Sequence, residues 1–375
     1  MKFIIEKKDK NSKARAGKII TDHGEIYTPV FMPVGTLGTV KGVLQEILID
    51  KINVNIILAN TYHLYLRPGT EIIEKAQGLH KFIKWNKPIL TDSGGYQVFS
   101  LSKQIKILDD GIKFSSHIDG SYHFFTPEKV IDIQRILGSD IIMPLDICSP
   151  YPCSFDIAKY HLNLTLEWYK KSLNYFKNTK PLYDHNQVLF PIVQGSTYSE
   201  LRLYCLKKVL EFDPDGIAIG GLAVGEPDNI MYEMIDVITN NINKNIPVYL
   251  MGVGTPENIL KCISLGIDMF DCVLPTRNGR NGMLFTTQGI INIRNKKWEN
   301  DFSPIDPENI SFVDGYSKAY LRHLFQTDEM LGPIIASIHN IGFYMWLVKK
   351  AREKILENNF NIWASNIIPL IMQRL

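Results

Sequence analysis

The sequence predicts an α/β protein: a (β/α)8 TIM barrel with a hairpin insertion and a C-terminal, mostly helical subdomain. Three observations predict it. Eight short apolar runs recur along the chain, continuous rather than alternating, as buried parallel strands read. Helical patterns lie between most of them. The 375 residues also exceed the roughly 250 that such a barrel needs, leaving room for additions.

In chain order the runs are VFMPVGT (30–36), VNIILANT (54–61), KPILTDSGG (87–95) and SDIIMPLDIC (139–148). Then come QVLFPIVQGS (187–196), DGIAIGGL (215–222), PVYLMGVGT (247–255) and IDMFDCVLPT (267–276). Helices are expected at 43–52, 126–138, 155–176, 198–212, 228–242 and 255–266, where apolar residues recur three and four apart. Thr126 and Thr255 each precede Pro-Glu, which suits an N-cap with proline at the first helical position. Residues 96–126 alternate around DG turns and read as a hairpin insertion. Residues 283–316 read as short strands and loops, and 316–375 as mostly helical. The domain expectation is a catalytic barrel core over 1–282 and a C-terminal subdomain over 283–375.

Composition bounds the partners only loosely. A net charge of +2 does not by itself argue nucleic-acid binding. The local pattern says more: Cys272 to Trp298 holds no Asp or Glu, yet carries Arg277, Arg280, Arg294, Lys296 and Lys297. Such a stretch is either a solvated surface or a phosphate-contacting patch. The five cysteines form no CxxC, so neither a disulfide framework nor a strong zinc motif is visible. The charged N-terminus lacks the core of a signal peptide, and no apolar stretch approaches membrane-spanning length. A soluble cytoplasmic protein with no membrane partner is expected.

Barrels of this kind bind ligands where the strands end. The residues there are Asp92, Asp146, Gln194, Gly220 with Gly221, Met251 with Gly252, and Asp271. A single acid could be a helix cap or an ion-pair member; three at equivalent ends favour a polar site. Two acids can divide the work, one attacking as nucleophile and one moving protons. A third can accept from N–H donors such as a guanine edge. In TDSGGYQ (91–97), Gly94 and Gly95 allow close backbone approach, and Tyr96 offers a stacking face or a core ring. GVGTPEN (252–258) lacks the Walker lysine and a third glycine, so a strand running into a capped helix is the default.

Several long motifs in order then identify a family. LTDSGGYQVFSL, PIVQGS, GIAIGGLAVGE, YLMGVGTPENI and GIDMFDCVLPTRNGRNG closely resemble the bacterial tRNA-guanine transglycosylases. The resemblance runs from TPVFMPVGTLGTVKG to IHNIGFY, nearly the whole chain. It implies a (β/α)8 enzyme that replaces the wobble guanine of GUN-anticodon tRNAs with 7-aminomethyl-7-deazaguanine, the queuosine precursor. By the resemblance, Asp271 is the nucleophile at ribose C1′ and Asp92 the general acid/base. Asp146, Gln194, Gly221 and Leu222 bind the base beside Ser93, Gly94 and Gly95, and Tyr96 and Met251 sandwich it. RNA contacts are implied for Gly252, Val253, Gly254, Thr255, Pro256, Glu257 and Asn258, and for TRNGR as the loop at the wobble nucleotide, Thr276, Arg277, Asn278, Gly279 and Arg280. Nearby arginines are expected to favour ionised Asp271. Val224, bulky where queuine-using relatives tend to carry glycine, is expected to narrow the pocket toward the smaller base.

The chain departs from the family in two places. The three cysteines of the family's structural zinc site fall on Asn309, Ser311 and Asp314, within 306–339, and only the histidine, His339, remains. An amide and a hydroxyl are poor substitutes for thiolates, so no metal and no other cofactor is expected, and the family's homodimer becomes an open expectation. Ile147 stands where the family usually has glutamate. The alternative reading is a non-catalytic tRNA-binding relative or accessory subunit. Intact reactive acids beside a lost metal site argue for the enzyme.

Overall fold

The computed structural model describes residues 1–375. Each of the eight apolar runs contains a strand. In one parallel sheet Val30–Pro33 pairs with Met269–Cys272, followed by Val248–Leu250, Ile217–Ile219 and Ile192–Val193. In a second, Ile57–Ala59 pairs with Ile89–Thr91, then Ile141–Ile142 and Val188–Leu189. A parallel bridge between Val34 and Leu58 links the two sheets at one margin. At the other margin one run, 188–193, supplies a strand to each sheet. Between those strands the Phe190 N–H donates to Ile142 O and the Pro191 carbonyl accepts from Ala218 N. Val30, Met32, Leu58, Leu90, Ile141, Phe190, Ile192, Ala218, Tyr249 and Met269 pack together as one buried cluster. Because every one of these pairings is parallel, the residues that follow the strands emerge on one side.

Most expected helices form. Pro127–Leu137, Phe155–Asn178, Ser199–Leu210, Asp228–Thr239 and Pro256–Ser264 match their apolar periodicity. Thr126 and Thr255 cap as expected, accepting from the N–H of Lys129 and Asn258 at 3.2 Å each.

Several expectations need correction. The 43–52 segment winds mainly as a π-helix, Ile47–Lys51. The insertion is not a hairpin but a helix, Gly95–Leu101, followed by three antiparallel strands, Ile105–Leu108, Gly111–Ser115 and Tyr122–Phe125. Three short helices between Thr61 and Phe82, and an antiparallel sheet of Lys2–Lys8, Arg15–Thr21 and Gly24–Thr28, had no counterpart in the sequence reading. TRNGR is not a loop: it lies in the helix Leu274–Arg280. A Cβ on Gly279 would come within 2.8 Å of the Ala336 backbone, so glycine lets this helix lie against Leu331–Leu356. That last helix is long and apolar enough to cross a membrane, contrary to the expectation that no stretch is. Its most apolar window is 72% buried inside the protein, which is how a core helix behaves. Phe343 and Tyr344 on it pack in one apolar cluster with Phe31, so the core is continuous across residue 282.

Candidate active site

Asp92, Asp146, Gln194, Gly220, Gly221, Met251, Gly252 and Asp271 all line one cavity of about 340 Å³ at the ends of the strands. Ser93, Tyr96, Leu222 and Val224 line it too. A larger hollow of about 490 Å³, between Lys51, Trp346 and Arg352, contains no carboxylate among its lining residues.

The three acids are held by neutral donors. Asp92 accepts from Asn60 Nδ2 at 2.6 Å and from the Thr61 N–H at 2.8 Å. Asp146 accepts from Ser93 Oγ at 2.7 Å and from Gln194 Nε2 at 2.8 Å. Asp271 accepts at one oxygen from Tyr249 Oη at 2.6 Å and the Gly252 N–H at 2.8 Å. No cation pairs with any of them, and burial raises all three above the ordinary carboxylate range. Asp92 is pushed up to about 6, chiefly by burial, with the charge of Asp271 adding to it. Such a group can hold or accept a proton near neutrality. Cys148 and Cys272 also line the cavity, but burial pushes both thiols up to about 12, which leaves them without thiolate character.

The expected help from arginines is not found. Arg277 and Arg280 form no ion pair with Asp271, whose charge rests on the tyrosine hydroxyl and the backbone amide. The helix turns Arg277 outward, while Arg280 is half-buried with Nη1 lacking a hydrogen-bond partner. The two arginines stand together without a carboxylate, each raising the affinity of this surface for anions.

The glycines have steric reasons. A Cβ on Gly95 would sit 2.6 Å from Asp146 O, and one on Gly221 2.3 Å from Gln194 Oε1, with φ +64° there. Gly94 takes φ +79° as the N-cap of the helix that carries Tyr96. Tyr96 is exposed and Met251 half-buried at the cavity. The proposed RNA segments leave less surface than expected. Val253, Gly254, Pro256 and Asn258 are buried, as are Thr276 and Gly279. Glu257 pairs with Lys261 at 2.6 Å. Gly252, Thr255, Glu257, Arg277, Asn278 and Arg280 reach the surface at least in part.

Four residues escaped the sequence reading. Asn60, Thr61 and Tyr249 orient the acids as described. Arg202 is fully buried and forms no ion pair; it donates to the carbonyls of Val193, Ser196, Gly220 and Gly221 at 2.6–3.0 Å. It thereby ties the Gln194 loop to the Gly221 loop. Only the polar interruption of an apolar helix could have hinted at it.

Residues 306–339 do not fit a zinc ion. Asp314 Oδ1 lies 2.6 Å from His339 Nδ1, and the Phe285 carbonyl lies 2.8 Å from Nε2, so neither ring nitrogen is free for a metal. Asp314 Oδ2 accepts from the Ser311 N–H at 2.8 Å, and Asn309 points to solvent.

Residues 9–370 match the family model described as queuine tRNA-ribosyltransferase. The chain belongs to the queuine tRNA-ribosyltransferase family. It is 52% identical to a protein of that name from Aquifex aeolicus, over 98% of each chain. It is likewise 52% identical to one from Caldanaerobacter subterraneus subsp. tengcongensis, over 96% of this chain and 94% of the relative. A Treponema denticola protein of the same name is 46% identical over all of this chain. The acid-lined cavity therefore lies in a chain whose whole length follows this family.

Proposed function

We propose that the chain is a tRNA-guanine transglycosylase of queuosine biosynthesis, exchanging the wobble guanine of GUN-anticodon tRNAs for 7-aminomethyl-7-deazaguanine. The observation that carries this reading is the pair Asp92 and Asp271 on one cavity, uncompensated by any cation. The target nucleotide leaves its stack to enter the cavity. Asp271 bonds to ribose C1′ as the bond to guanine breaks, and the incoming base then displaces the carboxylate. Two displacements at one carbon retain configuration. Asp92 handles the protons, for which a value about 6 is suited. A positive charge developing on the ribose meets unneutralised carboxylates.

Asp146 and Gln194 face the base edge, with Ser93, Gly94, Gly95, Gly221 and Leu222 around it, and Tyr96 and Met251 against its faces. Val224 narrows the cavity against a base larger than the aminomethyl one. Arg277 and Arg280, with the exposed parts of 252–258, take the anticodon-loop phosphates. The eight parallel strands form a closed (β/α)8 barrel, supported by the Val34–Leu58 bridge and the shared run 188–193. Residues 283–375 are a subdomain packed on that barrel core, held without zinc by the Asp314–His339 contact. A cytoplasmic homodimer completes the reading. Incubation with a GUN-anticodon tRNA and labelled guanine tests it: incorporation is expected, and stable tRNA binding without exchange would favour a non-catalytic binding protein.

A further inference from the structure

At the opposite ends of the strands, three histidines from distant parts of the chain meet. His23 lies in the turn between Arg15–Thr21 and Gly24–Thr28, His80 in the helix Leu79–Phe82, and His185 just before Val188–Leu189. One ring nitrogen of each lies within 4.8 Å of those of the other two. The rings of His23 and His80 stack 3.8 Å apart, and that of His185 meets His23 edge-on at 4.5 Å.

The other contacts settle the tautomers. His23 Nδ1 is 2.8 Å from Asp140 Oδ1, His80 Nε2 is 3.1 Å from the Lys87 carbonyl, and His185 Nε2 is 2.8 Å from the Gly138 carbonyl. Carbonyl oxygens only accept, so those nitrogens of His80 and His185 carry protons; the carboxylate favours the same on His23. In the neutral ring each then presents a lone pair on its opposite nitrogen. A carboxylate or carbonyl behind each imidazole is the arrangement that orients metal-ligating histidines. Asp140 is itself fixed, accepting from the Ile89 N–H at 2.9 Å and lying 3.4 Å from His80 Nε2. All three histidines are only half-buried, and a hollow of about 310 Å³ lined by Asp22, Asp140 and Asn186 opens beside them. An ion has a way in.

We infer that His23, His80 and His185 form a site for a divalent transition metal of the zinc class, with Asp140 as the supporting carboxylate. Imidazole nitrogens suit zinc, copper and nickel. Tetrahedral bonds of about 2.0–2.1 Å need nitrogens about 3.3 Å apart and the ion in the plane of each ring, so binding requires the His23 and His80 rings to turn out of their parallel stack. It would pin the N-terminal sheet to the starts of the strands, far from the base cavity.

Full-length protein freed of metal with a chelator is titrated with Zn²⁺ by calorimetry, with Co²⁺ as a spectroscopic probe. One ion per chain is expected, with no thiolate charge-transfer band. His80→Ala and His185→Ala should each weaken binding by at least about tenfold, the lower bound set by lesser outer-shell losses. Zn²⁺ should raise the melting temperature of the wild type but of neither variant; melts without metal establish that both fold. No bound ion in the wild type overturns the site, as does an ion retained in both variants or a cobalt spectrum with cysteine ligation. Base exchange is assayed separately, so either idea can fail alone.

Discussion

Five aspartates mark the ends of the parallel strands, and the two ends treat them differently. Where strands begin, Asp140 lies against His23 and His80, and Asp268 meets Arg15 through two contacts of 2.9 and 2.5 Å. Where strands finish, Asp92, Asp146 and Asp271 meet only hydroxyls, amides and backbone N–H groups. Asp140 is held well below the ordinary carboxylate range by its histidines, in spite of burial. Asp268 is raised, because burial outweighs Arg15. The acids at the far end are raised with no cation to oppose it. The first set joins the N-terminal sheet to the strands. The second is kept short of charge compensation, which is a cost in stability that chemistry can use.

Removing charge at each end should therefore have opposite consequences. The largest effect is expected for Asp271→Asn. The amide oxygen can still accept from Tyr249 and Gly252, so the fold should melt no lower than the wild type. Labelled-guanine exchange should fall on the order of 10⁴-fold, as losses of nucleophiles do. A variant that kept most of its exchange would remove the basis for treating this end as reactive.

Asp140→Asn comes next, and its effect is on stability. Asp140 has its folded value lowered, so its contribution is fully present above the unfolded value near 3.8 and is lost as pH falls from there through the lowered folded value. Urea unfolding at neutral pH should show a loss of about 3 kcal/mol, shrinking in acid. Exchange per folded molecule should be unchanged.

Asp92→Asn should do the reverse. Its folded value near 6 lies above the unfolded 3.8, so the native state binds the extra proton between them. Wild-type stability from this group is greatest in acid and declines as pH rises from about 4 to 6. The variant should escape that decline and be more stable at pH 7 by about 2 kcal/mol, with exchange impaired. The Asn60 amide can rotate to present its oxygen to the new donor. Equal stability of variant and wild type across pH 4–7 would contradict the claimed burial of an uncompensated charge.

The sequence showed one end of this contrast better than the other. The eight strands were readable because both faces of each are covered, which leaves unbroken apolar runs such as VNIILANT. Asp92, Asp146 and Asp271 were readable because each follows such a run. The N-terminal sheet was not: KFIIEKK is half-exposed and charged, and reads as surface. The three helices between Thr61 and Phe82 have four to six residues each, too short to show a period. TRNGR looks like a loop because Asn and Gly favour loops; its glycine instead makes room for Ala336. Neutral partners such as Asn60 and Tyr249, and a histidine cluster assembled from three distant segments, leave no spacing to detect.

The smallest effect refines the contrast at a single atom. Tyr249 is fully buried, and its hydroxyl donates to the Asp271 oxygen that also accepts from Gly252. Both bonds favour the carboxylate and partly oppose the effect of burial on it. Tyr249→Phe keeps the ring and removes one donor. The Asp271 value should rise further, so the acid limb of kcat/KM should move to higher pH. On the acid limb the rate should drop by up to about tenfold, in line with a charge-assisted hydrogen bond of about 1.5 kcal/mol, and should approach the wild type as pH rises. A merely structural tyrosine would lower the rate equally at every pH. The shape of the profile, rather than the size of the loss, decides whether neutral donors alone keep this end of the protein ready to react.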